Sequence, residues 1–151
     1  MALKEASALT AELHKILSKG VIAVTQHEDG EYVSPSFTRP KKDGSHRLIL
    51  NLKSLNQFVK HHHPKMESIQ SAAQLMKPGC WMAVLDLKDA YYSVSVASQH
   101  GKFLQFEYDG MLFEFTCLPN GLSSAPRVFT KLLKLALSML HIKGPGYCLH
   151  R

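Results

Sequence analysis

The sequence predicts an α+β fold, and three observations lead there. Two stretches, one near each end, repeat apolar residues at helical spacing. Between them lies a strong hairpin signal, "KFLQFEYDGMLFEFT", and the remaining strand-like runs are short and mixed with helix. At 151 residues, 45% of them hydrophobic, the chain is long enough to bury the core of one domain. No internal repeat or low-complexity linker divides it.

Taken in order, Leu3, Ala6, Leu9, Leu13, Ile16 and Leu17 mark one helical face, and Lys19-Gly20 stops that helix. "VIAVT" reads as a short strand, "HEDGE" as a surface turn, and "YVSPSFTRP" as extended chain punctuated by proline. "KKDGS" turns into "HRLILNL", where Leu48, Leu50 and Leu52 alternate with Arg47, Ile49 and Asn51, giving a strand with one apolar face. "MESIQSAAQLM" is helical, with Ile69, Ala72, Ala73 and Met76 on one side, and Lys77-Pro78-Gly79 ends it. The strand "WMAVLDL" follows. In the hairpin, Asp109-Gly110 is a two-residue turn that pairs Tyr108 with Met111, Phe106 with Phe113 and Leu104 with Phe115. Those six share one face, and Gln105 and Glu114 lie on the other. The last helix runs from about Ala125 to Leu140, capped by Ser123 or Ser124 with Pro126 in its first turn, and "KGPGYCLHR" ends it.

Composition narrows the function classes. No apolar run approaches the ~20 residues of a membrane span, and the opening "MALKEASALTAELHK" is charged and amphipathic, unlike a secretory signal. Cys80, Cys117 and Cys148 are odd in number and widely spaced, which fits a reducing compartment, the cytoplasm or nucleus. Between Arg39 and Lys65 stand seven Lys or Arg and one acid, Asp43, a net of +6 that equals the formal net charge of the whole chain. Residues 66–114 hold three Lys against six acids, and no Asp or Glu follows Glu114. A basic segment facing an acidic one suggests a polyanion held beside a cation site. A solvated basic loop is the plain alternative.

Four stretches could carry chemistry. In "AVLDLKDAYYSV", an ionised Asp86 inside an apolar run needs either a strand end or a cation. Asp86 and the carbonyl of Leu87 could together reach a metal at the strand's edge, as magnesium prefers carboxylate, carbonyl and phosphate oxygens. The alternative makes Asp89 a helix cap and Asp86 an exposed strand end. In "RPKKDGSHRLIL", Lys41, Lys42 and Arg47 form a basic hairpin suited to phosphate, or an ordinary solvated turn. "CLPNGLSSAP" fixes a tight turn into a helix whose N-terminus favours anions, or is simply capped. His61, His62 and His63 are adjacent, so they cannot all face one metal from a strand, and a polar loop is expected there.

Read together, "PKKDGSHRLILNLKSLN", "VLDLKDAYYSV" and "LPNGLSSAPRVFTKLL" resemble the fingers and palm motifs of reverse transcriptases, in the type carried by retroviruses and long-terminal-repeat retrotransposons. The likeness takes in "ILSKGVIAVT" and "MESIQSAAQLMKPGCWM" and covers roughly residues 5–140. It implies polymerase fingers over about residues 1–80, a partial palm over about 81–140 and a divergent tail at 141–151. It also implies roles. Asp86 matches the catalytic, metal-binding aspartate and Leu87 the neighbour whose carbonyl touches the ion. Asp89 and Ala90 match the turn that accommodates the triphosphate, and Tyr91 the steric gate against a ribose 2′-hydroxyl. Arg47 matches the finger arginine and Lys41 or Lys42 the finger lysine on the triphosphate. Asn120 and Gly121 fall where sugar and base are contacted. The implied cofactor is magnesium, with manganese an alternative. The implied partners are an RNA template, a DNA primer and deoxynucleotide triphosphates, with no membrane.

The sequence also departs from that pattern. Asn120 stands where phenylalanine or glutamine is usual, Pro64 where an aromatic is expected, and Gly101 where a basic residue is typical. The family's Tyr-x-Asp-Asp hairpin, expected about where "GPGYCLHR" lies, is missing, so the fragment is expected to be truncated and inactive alone. An open sheet edge and exposed apolar surface should follow. A further polypeptide supplying the rest of the palm, thumb and ribonuclease H is one expectation. A non-catalytic nucleic-acid-binding module or a non-functional pseudogene product are the alternatives.

Overall fold

The computed structural model describes residues 2–41, 46–60 and 86–141, together with residues 70, 73–74, 78–79 and 81. Most of the expected helix of residues 66–76 and of the strand before Asp86 lies outside the described residues, as do the three histidines, but residues 70 and 73–74 are helical.

Helix α1 (Ala2–Ser18) turns Leu13 and Ile16 into the core and packs over the first strand and over the basic hairpin. Leu17, expected on that face, is half-exposed at the helix end. Strand β1 (Ile22–Thr25) follows directly. Strands β2 (Ser36–Pro40) and β3 (His46–Leu50) form an antiparallel two-stranded sheet, in register Phe37 to Ile49 and Arg39 to Arg47. Leu48, Leu50 and Leu52 are all buried, as their alternation requires. A single 3₁₀ turn, Leu55–Gln57, leaves that sheet.

The second hairpin has the expected register. In β4 (Gln105–Tyr108) and β5 (Met111–Phe115), Tyr108 faces Met111 and Phe106 faces Phe113. Asp109 and Gly110 both have positive φ (50° and 71°), the backbone of a tight turn whose twist matches the strands. Strand β1 pairs with the other side of β5, giving the sheet order β1-β5-β4. Phe106 stacks on Phe113 at 5.5 Å between ring centroids and leans on Phe115 at 5.8 Å, forming the centre of the core.

Two features go beyond the sequence pattern. Gln105 lies opposite the aromatic face, paired with Glu114 as expected, but is fully buried there, and residues 32–34 run alongside β4. Tyr32 N–H donates to the Lys102 carbonyl, and Ser34 N–H to that of Gln105, both at 2.8 Å. The short helix α2 (Ser98–Gly101) was also not foreseen. It brings Gly101 so close to β5 that a Cβ there would sit 2.8 Å from Glu114 Oε2, which gives the small residue a local reason.

What positions the candidate site is the exit of β5. Val96 N–H donates to the Thr116 carbonyl and Leu118 N–H to that of Val94, both at 2.9 Å, with a bridge between Ser95 and Cys117. Residues 94–96 therefore run antiparallel beside residues 116–118. That pairing brings "LKDAYYSV" alongside "CLPNG" before helix α3 (Ala125–His141) begins. The Thr116 hydroxyl donates to the Gly20 carbonyl at 2.5 Å and anchors the same strip to the start of β1. Among the described residues, no helix is long and apolar enough to cross a membrane.

Candidate active site

Asp86 and Leu87 lie in irregular chain, both exposed, and the Asp86 carboxylate makes no hydrogen bond or ion pair among the described residues. Three residues on, Asp89 adopts the left-handed conformation (φ 54°) and starts a 3₁₀ turn, Ala90–Ser93. Its side chain does not cap that turn. It takes a 2.6 Å ion pair from Lys19 Nζ, at the end of α1, which holds the carboxyl below the usual aspartate range.

The two tyrosines that follow are both packed. Tyr91 meets Phe129 of α3 edge-to-face, with centroids 5.6 Å apart. Tyr92 leans on Phe115, and its hydroxyl accepts a bond from Asn120 Nδ2 at 3.4 Å. Burial pushes the Tyr92 phenol up, and the Asn120 bond opposes that rise.

Asn56, just after β3, clamps the next turn from both sides. Its Nδ2 donates to the Gly121 carbonyl at 2.9 Å, and its Oδ1 accepts from Ser123 N–H at 2.9 Å. The Ser123 hydroxyl does not cap α3: it is buried without a partner among the described residues, and Asn56 bonds the Ser123 N–H ahead of the helix. Gly121 has φ 98°, and its Cα faces the Leu50 carbonyl, 3.7 Å from where a Cβ would stand.

The structure thus brings Asp89, Ala90, Tyr91, Asn120 and Gly121 into one connected set that reaches the end of β3. Arg47 lies on β3 with its side chain exposed, Lys41 lies just past β2 and is half-buried, and Lys42 is outside the described residues. Among the described residues, neither Arg47 nor Lys41 makes a side-chain hydrogen bond or ion pair to that set. Lys19, Asn56, Tyr92 and Phe129 hold the set together and were not singled out by spacing or motif. Each acts through a contact across the fold, so only an aromatic after Asp89 and an asparagine after a buried leucine hint at them.

The donor set tests the implied metal. Asp86 and the Leu87 carbonyl offer one carboxylate and one carbonyl, and among the described residues no group of three His, Cys, Asp or Glu could hold an ion. That fits one corner of a magnesium site and falls short of two ions, which need more oxygens to offset their hydration.

Comparison with known proteins bears on what this arrangement belongs to. A family model described as reverse transcriptase (RNA-dependent DNA polymerase) matches residues 39–145. The transposon Tf2-3 and Tf2-7 polyproteins of Schizosaccharomyces pombe are each 27% identical over 130 residues, covering 86% of this chain and 10% of the polyprotein. The chain therefore spans about a tenth of the length of the curated relatives it matches. Its fold is similar to that of the native prototype foamy virus protease–reverse transcriptase, with TM-score 0.77 and 18% identity over 97% of this chain and 19% of that one. A foamy viral protease–reverse transcriptase solved in complex with double-stranded DNA gives TM-score 0.70 at 20% identity, over 97% and 24% of the two chains. The family match takes in well over half of the chain, from the end of β2 through α3 and every candidate site residue, so the chain belongs to the reverse transcriptase (RNA-dependent DNA polymerase) family and is a domain of the retroelement kind.

Proposed function

We propose that these residues are the fingers and the first half of the palm of an RNA-directed DNA polymerase. The observation that supports this is the single connected set made by the turn at Asp89, the turn at Asn120–Gly121 and the loop after β3, joined through Asn56, Tyr92 and Phe129. In this reading Asp86 and the Leu87 carbonyl hold a divalent metal, magnesium or manganese. Asp89 and Ala90 form the floor under the triphosphate, and Arg47 with Lys41 or Lys42 lies over it. Tyr91 stands against the ribose 2′-hydroxyl, and its Phe129 contact resists the ring turning aside. Asn120 and Gly121 meet the sugar and base. Two magnesium ions, when bound, supply the charge stabilisation of phosphoryl transfer, and the residues named here supply positioning.

The set is one half of a catalytic centre. No Asp or Glu follows Glu114, so these 151 residues by themselves do not polymerise, and further polypeptide must bring the remaining carboxylates. The partners in this reading are an RNA template, a DNA primer and deoxynucleotide triphosphates. A second reading, a non-catalytic nucleic-acid-binding module, is favoured by the same short donor set beside an exposed basic hairpin. Both readings are tested by fluorescence anisotropy on a primed RNA template at rising salt. Tight binding at low salt that weakens steeply is expected, as counterion release demands. No measurable binding at low salt would sink both. Deoxynucleotide triphosphate that tightens the complex, in an Arg47-dependent way, separates the polymerase reading from the binding module.

A further inference from the structure

Helix α1 ends on a bonded stop. Gly20 N–H donates to the Leu17 carbonyl and Val21 N–H to that of Ile16, both at 2.9 Å. Ile16 and Val21, on either side of that stop, are buried. The core thereby fixes the backbone of Lys19, and from there Nζ reaches Asp89 Oδ2 at 2.6 Å. The other end of the contact is fixed as well. Tyr92 N–H donates to the Asp89 carbonyl at 2.9 Å, and Tyr91 is braced on Phe129. Lys15 pairs with Glu12 at 3.4 Å, and Lys88 makes no ion pair among the described residues, so neither takes the place of Lys19.

We propose that Lys19 is the charge-balancing residue of the triphosphate floor: paired with Asp89, it leaves that turn neutral towards the incoming nucleotide. The family resemblance gives Asp89 a role and Lys19 none. The proposal rests on the reading above, in which Asp89 and Ala90 lie under the triphosphate. A carboxylate in that floor repels the phosphates it has to carry, and a triphosphate bears several charges, so one unbalanced carboxylate acts on all of them. The ammonium of Lys19 cancels that charge where it stands. Lys19 is thus a positioning residue that acts through Asp89. Its pairing contributes little to folding, because both side chains are partly exposed, and its effect falls on the ligand instead.

The test is anisotropy of a labelled primed RNA template with the purified chain, titrated with the complementary deoxynucleotide triphosphate. The proteins compared are the parent, Lys19→Met, and Lys19→Met combined with Asp89→Asn. Asparagine accepts the left-handed backbone of residue 89, so the second change removes charge and keeps the turn. Lys19→Met bares the carboxylate and should raise the nucleotide concentration for half-maximal tightening by on the order of tenfold at low salt. Adding Asp89→Asn should recover most of that loss, since the floor is neutral again. The Lys19→Met loss should also shrink as salt rises, because screening acts on a charge and not on a misplaced turn. A double variant as weak as Lys19→Met overturns the proposal, for Lys19 would then act on the phosphates itself or on the shape of the turn. A Lys19→Met loss that salt leaves unchanged overturns it too, as does no loss at all. In each of these cases the parent's response to nucleotide leaves the polymerase reading standing. A parent that binds the primed template and gives no response to nucleotide overturns both.

Discussion

Lys19 Nζ lies 2.6 Å from Asp89 Oδ2, tying the end of α1 to the turn that precedes Tyr91. The two residues are 70 positions apart, and Asp89 is held in a left-handed backbone conformation as it makes the bond. An ion pair here fixes the turn's direction more than it stabilises the fold. Both partners are about 40% exposed, so it contributes below about 1 kcal/mol.

Removing the lysine should be legible in titration. In Lys19→Met the Asp89 carboxyl should return towards the usual aspartate value, read by NMR of the side-chain carbonyl. The folded carboxyl titrates below its unfolded counterpart, so its stabilisation is complete above the unfolded value and fades as pH falls through the folded one. An Asp89 carboxyl that titrates identically in both proteins would show the ion pair is not formed in solution.

Asn56→Ala removes two hydrogen bonds at once, to the Gly121 carbonyl and from Ser123 N–H. At roughly 1 kcal/mol each, the loss should be about 2 kcal/mol, seen as a lower urea midpoint with unchanged slope. An unchanged midpoint would mean that solvent replaces both bonds without loss.

Two glycines should respond differently to alanine. Gly121 has φ 98° but only ordinary contacts around a new Cβ, so Gly121→Ala should lose about 1–3 kcal/mol through backbone strain alone. Gly101→Ala meets the flexible end of Glu114, which can swing aside, so the loss there should stay below about 1 kcal/mol. Equal losses at the two positions would contradict this account of both.

Burial pushes the Cys117 thiol up to about 11, with the Thr116 bond opposing it. Its Sγ is directed at the Val21 carbonyl inside the core. Iodoacetamide at neutral pH should leave Cys117 unlabelled in the native protein and label it once urea unfolds the chain, followed by peptide mass spectrometry. Rapid labelling of the native protein would contradict the burial.

Much of the fold was legible because its causes are local. The Asp109-Gly110 turn sets its own register, and the periodicity of α1 and α3 needs no distant partner. The full burial of Gln105 was not legible, because it comes from tertiary packing around β4 that no period-2 pattern contains. Ser123 shows the same limit: its N–H is met by Asn56 from 67 residues away, while its hydroxyl caps nothing. At the candidate site, the motifs single out Asp86, Asp89, Tyr91 and Gly121. The residues that contact the last three, Lys19, Asn56 and Phe129, do so through tertiary packing that the motifs do not encode.

The central claim is that these residues hold half of a polymerase centre built around Asp86. Primer extension on an RNA template tests it most directly, using the purified 151-residue chain with magnesium and all four deoxynucleotide triphosphates. The account predicts no extension, with the primed template nonetheless bound. Extension that disappears in Asp86→Asn would contradict it, because the carboxylates present would then suffice for catalysis.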